Sequence, residues 1–231
     1  MVCPHAAIAY SGPVAAHSYL DLSRLKAPDL IVVVAPNHNG VGSGVSAYMD
    51  GEWQTPLGRM KVDAPFAEAF AKEAEIVDFD PEAHRVEHSL EVQLPFLQLL
   101  YGDSVPFVPI SLAFQDEETA RVLGRALAKV SKGRKVALIA SSDLTHYEPA
   151  RSAKEKDGLL LRSVENLDTE TFYSTLESKM VTACGFGAIA TVMEAARALG
   201  CKKGRLLKYA TSGDVSGDNS SVVGYASMRF E

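Results

Sequence analysis

The sequence predicts one α/β domain over residues 1–231, built on a largely parallel or mixed central sheet. Residues 31–34 (Ile-Val-Val-Val) run apolar without alternation, as in a strand buried on both faces. Residues 135–140 form a second strongly apolar run of this kind. Strands alternate with helical stretches along the chain, which is the α/β pattern. A length of 231 residues allows a substantial core yet suits a single domain.

Each element follows in order. After Pro4-His5, residues 6–9 are small and apolar, and Ser11-Gly12-Pro13 is expected to break the run. Residues 14–25 form a short helix before the first strand, which starts at Asp29 and stops at Pro36. A polar, turn-rich loop carrying His38 follows. Residues 41–62, with turn signals at Asp50-Gly51 and Pro56-Leu57-Gly58, predict a hairpin or an irregular excursion. Residues 65–73 read as a helix with Pro65 in its first turn, and 76–79 as a short strand. A polar loop, 82–88, carries His84 and His88 into a helix. There Leu90, Leu94, Leu97 and Leu100 keep helical spacing, with a distortion at Pro95.

Residues 105–112 predict a strand and 117–132 a helix capped by Asp116. The strand at 135–140 ends in Ser141-Ser142-Asp143-Leu144-Thr145-His146. Helices follow at 153–166 and 169–179. Cys184-Gly185-Phe186-Gly187 opens another at 188–199, closed by Gly200. Strands at 206–211 and 222–230 are joined by a Gly/Asp/Ser-rich loop, 212–221, expected to close over the crevice at the strand ends.

Composition narrows the function classes. The net charge of −6 argues against nucleic acid as the main partner. Lys202, Lys203 and Arg205 read as a helix C-terminus and turn. No apolar run approaches the ~20 residues of a membrane span, and the start lacks a basic region followed by an apolar one. Three cysteines form no C-x-x-C pair, so a reducing cytoplasm is the expected location.

Reactive residues fall at four strand ends or turn-rich loops: Pro4-His5, Pro36-Asn37-His38, Asp143 to His146, and Cys184-Gly185. In open α/β sheets, ligands bind at the carboxyl ends of the strands. Two histidines with one anionic ligand and open positions form a catalytic metal pattern, and the chemistry alone leaves zinc, iron and copper open. The plainer alternatives are hydrogen-bonding histidines and a small buried cysteine. His146, beside Asp143, is a candidate general base. Ser142, Asp143 and His146 also suggest a serine hydrolase, but no G-x-S-x-G elbow is present. Glu87 and Glu91, four apart, suggest either a solvated helix start or support for His88. Gly213 to Asp218 lacks the lysine of a phosphate loop.

These residues fall into ordered blocks. They are Pro4-His5-Ala6, Tyr10-Ser11-Gly12, Ala15-Ala16-His17, Pro36-Asn37-His38, Thr55-Pro56-Leu57 and Glu87-His88-Ser89-Leu90-Glu91 with Leu94-Pro95. Further along stand Ser141-Ser142-Asp143 with His146, Cys184-Gly185, and Tyr209-Ala210 with Ser212 and Asp218 through Tyr225-Ala226. Together they resemble the Memo family over nearly the whole chain, including the B component of AmmeMemoRadiSam systems.

The resemblance implies a three-layer sandwich related to the class III (LigB-type) extradiol dioxygenases, which hold non-haem Fe(II) with two histidines and a carboxylate. It implies His5, His38 and Cys184 as metal ligands, with Cys184 standing where those enzymes have the carboxylate. His146 would be the acid/base with Asp143 close by, and His88 and Glu91 would line or brace the pocket. The implied cofactor is Fe(II), with Cu, Zn or no metal as the alternatives. The implied activity is that of an iron-dependent oxidoreductase on a small substrate. The alternative is a non-catalytic peptide- or protein-binding module using the same crevice. AMMECR-type and radical-SAM proteins are the implied partners.

Overall fold

Every residue of Leu30–Pro36 is buried, because this strand packs helices on both its faces. The computed structural model describes residues 1–231. The first half runs β1 (Val2–Cys3), α1 (Ile8–Ser23), β2 (Leu30–Pro36), β3 (Val45–Ala47), β4 (Glu52–Thr55), β5 (Gly58–Lys61) and α2 (Ala64–Ala74). A single 3-10 turn (Pro81–Ala83) leads to α3 (His88–Glu91), α4 (Leu94–Tyr101) and β6 (Phe107–Leu112). The remainder is α5 (Glu117–Val130), β7 (Val136–Ser141), β8 (His146–Glu148), α6 (Ala150–Glu165), α7 (Thr169–Lys179), α8 (Phe186–Ala198), β9 (Gly204–Thr211), α9 (Gly213–Ser216) and β10 (Val222–Phe230).

The main sheet has eight strands in the order β3-β6-β2-β7-β1-β10-β8, with β9 paired to β10. The neighbouring pairs β6/β2, β2/β7 and β7/β1 are parallel. The flanking pairs β3/β6, β1/β10, β10/β9 and β10/β8 are antiparallel, so the sheet is mixed. Alternation along β2 sorts its side chains into two cores. Leu30, Val32 and Val34 join the larger one, with Phe70 of α2, Leu123 of α5 and Ile189 of α8. Ile31, Val33 and Ala35 join the smaller one, with Tyr19 of α1, Leu97 of α4 and Met60 of the β4–β5 hairpin. Helices on both faces of a sheet make the expected three-layer α/β sandwich.

Several local expectations are corrected. Ser11-Gly12-Pro13 does not interrupt the chain, since α1 passes straight through Pro13. Pro13 and Ala9 both lie on the exposed face, so the carbonyl left without a donor is on the water side. Residues 76–79 form no strand. Asp78 makes one bridge to Ser46, while Ile76 and Phe79 stay exposed with no face to bury. The leucine-spaced helix is two pieces, α3 and α4, because Pro95 cannot donate back to Glu91. Lys202 and Lys203 lie in the link between α8 and β9, both donating their backbone N–H to the Glu231 carbonyl, and Arg205 already belongs to β9. Within the 213–218 segment Gly213–Ser216 form α9, where Asp214 accepts from the Thr211 backbone N–H at 2.7 Å, and the segment does not line the site described below.

Candidate metal centre

Three adjacent parallel strands, β2, β7 and β1, end side by side, and each delivers a polar residue within two positions of its end. β1 leads to His5, β2 to His38 and β7 to Asp143. Cys184 arrives from the turn before α8, and His88 opens α3. A cavity of about 610 Å³ is lined by His5, His38, His88, Asp143, His146 and Cys184, among others. The imidazole centroids of His5, His38 and His88 lie 4.9–5.5 Å apart.

Hydrogen bonding fixes which ring nitrogen each histidine offers. The Ser141 hydroxyl has one proton, and it goes to the Ser89 carbonyl at 2.7 Å. Ser141 Oγ therefore accepts from His5 Nδ1 at 3.0 Å and from the Gln93 amide at 2.8 Å. That leaves the His5 Nε2 lone pair turned to the cavity, where it accepts from the Cys184 thiol at 3.2 Å. Burial lowers the His5 pKa to about 4, which keeps this ring neutral and able to bind a metal.

His38 Nδ1 donates to Glu87 Oε1 at 2.9 Å, and its backbone N–H to Oε2 at 2.6 Å, so His38 Nε2 is free. His146 Nδ1 faces two acceptors, the carbonyls of Leu144 (2.7 Å) and Thr182 (2.9 Å). Only a protonated Nδ1 serves both, which leaves its Nε2 as an acceptor. The following residue, Tyr147, has a left-handed φ of 58° and is 79% exposed on the cavity wall. Such strain clusters at functional sites.

Asp143 Oδ1 accepts from the backbone N–H groups of His5 (2.9 Å) and Ala6 (3.2 Å), and Oδ2 stands 3.8 Å from His5 Nε2. It thus pins the segment that carries His5. Cys184 Sγ accepts from the Asp143 backbone N–H at 3.3 Å, and burial pushes its thiol up to about 12. A thiol this reluctant to ionise on its own becomes a thiolate when a cation binds it.

The donor set fits a divalent transition ion. Two groups of three donors have all their ligand atoms within 4.8 Å of one another: His5, His38 and His88, and His5, Asp143 and Cys184. Both turn on His5. No single group joins His38 to Cys184. Ligands on one ion at 2.0–2.3 Å cannot stand more than roughly 4.6 Å apart. Uniting His5, His38 and Cys184 therefore requires His38 and Cys184 to draw together.

The other expected site residues divide. His88 is in the cavity, 3.4 Å from Glu87 Oε1. Glu91 is not; it lines a separate cleft. It closes the single turn that His88 opens, about 4.5 Å further along the helix axis. Glu87 is no solvated helix start: it is 3% exposed and caps α3 through the Ser89 N–H while holding His38. Ser142 makes no catalytic pair with His146, because its hydroxyl donates to the Asp143 carbonyl and accepts from the Gly185 N–H. Ser141 and Gln93 carried no local signal. Their roles come from tertiary contacts across 48 and more positions of chain. An adjoining cavity of about 660 Å³ shares Thr182 and Cys184 with the first and is lined by Tyr173, Leu176 and Phe186.

A family model described as "Memo-like protein" matches residues 1–229. A MEMO1 family protein of Methanopyrus kandleri is 46% identical over 232 residues, covering 100% of this chain and 82% of that protein. Another, from Sulfolobus acidocaldarius, is 48% identical over 231 residues, covering 99% of this chain and 81% of its own length. A third, from Methanocaldococcus jannaschii, is 47% identical over 239 residues, covering 100% and 83%. In fold alone, the chain is similar to an uncharacterized protein of Escherichia coli K12, with a TM-score of 0.60 at 17% identity over 92% of this chain and 91% of that one. No helix is long and apolar enough to cross a membrane. With a family model matching residues 1–229 and relatives 46–48% identical over 81–83% of their own length, the chain belongs to the Memo family.

Proposed function

We propose that the cavity binds one divalent transition-metal ion, Fe(II) foremost, on His5, His38 and Cys184, and that the chain is an oxidoreductase acting on a small molecule beside it. The observation that carries this reading is the pair of imidazoles whose Nδ1 atoms are already engaged, by Ser141 and Glu87, so that both offer Nε2. Such an ion supplies Lewis-acid polarisation and one-electron chemistry.

The chain's own groups do the rest. His146 Nε2 is oriented to take a proton from a ligand in the cavity, and Asp143 keeps the His5 segment in register. His88 and Asp143 stand by as further donors. The adjoining cavity would hold the remainder of a larger ligand, and it favours a second reading, in which a peptide segment occupies the crevice.

Anaerobic reconstitution with Fe(II), followed by metal analysis after desalting, tests the proposal. About one iron per chain is expected in the wild type, with loss in His38→Ala and Cys184→Ala and retention in His88→Ala. A wild type that takes up no iron, or variants that keep it, overturns the assignment.

A further inference from the structure

Glu91, left outside the metal centre, lies in a second cleft of about 380 Å³ between the β4–β5 hairpin and the start of α4. We propose that this cleft is a binding site for a small alkylammonium cation, enclosed by the rings of Tyr48, Trp53 and His84 and neutralised by Glu91. The three rings line one cavity and are mutually near-perpendicular. Tyr48 and Trp53 stand 5.6 Å apart at 89°, Tyr48 and His84 5.4 Å at 86°, and Trp53 and His84 5.9 Å at 79°. Each pair meets edge to face, and a cation is attracted to any ring face within ~6 Å that its neighbour's edge leaves open to the cleft.

Charge on the walls has the matching sign. Four carboxylates, Glu52, Glu82, Glu87 and Glu91, face one cation, Arg85. Arg85 is tied to Glu82 at 2.9 Å, Glu52 is paired with Arg59 at 3.3 Å, and Glu87 is committed to His38. Glu91 alone has no ion pair. His84 adds no competing charge: it is 5% exposed, and burial lowers its pKa to about 4. Its Nε2 meets Ser46 Oγ at 3.1 Å, while its buried Nδ1 has no partner in the protein. No group of metal-ligating atoms converges here, so an inorganic ion is not the occupant the walls suit. An alkylated ammonium is weakly hydrated and gains from ring faces what a hard cation would need from oxygen ligands.

Trp53 is the only tryptophan of the chain, so its fluorescence reports directly on this cleft. Choline is titrated at constant ionic strength against its uncharged isostere 3,3-dimethylbutan-1-ol, using the full-length protein. A saturable change with choline and none with the alcohol is expected. Affinity should fall roughly three- to tenfold in Tyr48→Leu and in Glu91→Gln, the scale of one cation–π or one exposed charge contact. Glu91 is exposed, so its variant remains informative even if Tyr48→Leu does not fold. An acetylated trimethyl-lysine amide in parallel separates the two sources of such a group. Tighter binding than choline assigns a modified peptide side chain, and weaker binding a free cation. An equal response to choline and the alcohol, no saturation with choline, or unchanged affinity in Glu91→Gln overturns the proposal.

Discussion

Glu87 shows how one buried carboxylate sets the behaviour of a neighbouring ligand. Burial pushes its pKa up, but hydrogen bonds from His38 and Ser89 outweigh that and hold it at about 2. A group depressed below its unfolded value adds stability above about pH 4.5 and loses it as pH falls from there toward 2. In Glu87→Gln the amide has a single acceptor oxygen for the His38 backbone N–H, the His38 ring and the Ser89 N–H, so at least one donor goes unmatched. A stability loss of about 1–3 kcal/mol is expected in denaturant unfolding at pH 7. Freed from its partner, His38 should bind metal 10- to 100-fold more weakly, the usual consequence of losing a group that orients a histidine ligand. Titration with Co(II) as a spectroscopic probe checks this. A variant with wild-type affinity would mean that Glu87 serves only as a helix cap.

At the scale of elements, legibility followed periodicity. The apolar runs of β2, β6 and β7 needed no tertiary information, and neither did the ordinary amphipathic pattern of α5. β1 has two residues and β8 three, too few for any period, and each exists only because a neighbouring strand accepts it. The candidate ligands were legible because histidine and cysteine at strand ends stand out. Their supports were not. Asp157 is an example: within Lys-Glu-Lys-Asp it reads as one more charge on a wet helix face, yet it is fully buried. Its Oδ1 accepts from the Thr145 backbone N–H at 3.0 Å and hydroxyl at 2.6 Å, and its Oδ2 from the Tyr209 hydroxyl at 2.8 Å. Gly224 leaves the room it needs, since a Cβ there would stand 2.0 Å from Oδ2. α6 thereby holds the turn that aims His146. Asp157→Ala strands the two buried donors of Thr145 and the half-buried Tyr209 hydroxyl, and should cost roughly 3 kcal/mol in urea unfolding. Faster amide exchange at 144–146 should accompany it, and an unchanged exchange rate there would detach Asp157 from the positioning of His146.

Across the whole molecule, packing leaves two imidazoles almost without contact with water, His5 at 1% and His84 at 5% exposure. Burial holds His84, like His5, at about 4, well below the ordinary histidine value. The unfolded chain takes up a proton at each near pH 6.5, whereas the folded chain refuses it until about pH 4. With both folded pKa values depressed, the unfolded state binds more protons throughout this window. The contribution of the two imidazoles therefore falls as pH drops from 6.5 to 4 and is flat above 7. The scale is about 3 kcal/mol for each fully neutral imidazole, from 1.36 kcal/mol per pKa unit. This window lies above the one assigned to Glu87, so the two contributions separate along the pH axis. Urea midpoints of the metal-free protein between pH 7.5 and 4.5 measure it, with His84→Gln as the comparison. The variant should lose the share of the wild-type slope due to His84 between pH 6.5 and 4.5, leaving the parts due to His5 and to the buried Met1 amine, which burial lowers to about 5. Parallel profiles for the two proteins would show that His84 titrates in the folded state as freely as in the unfolded one, and that its cleft is wet.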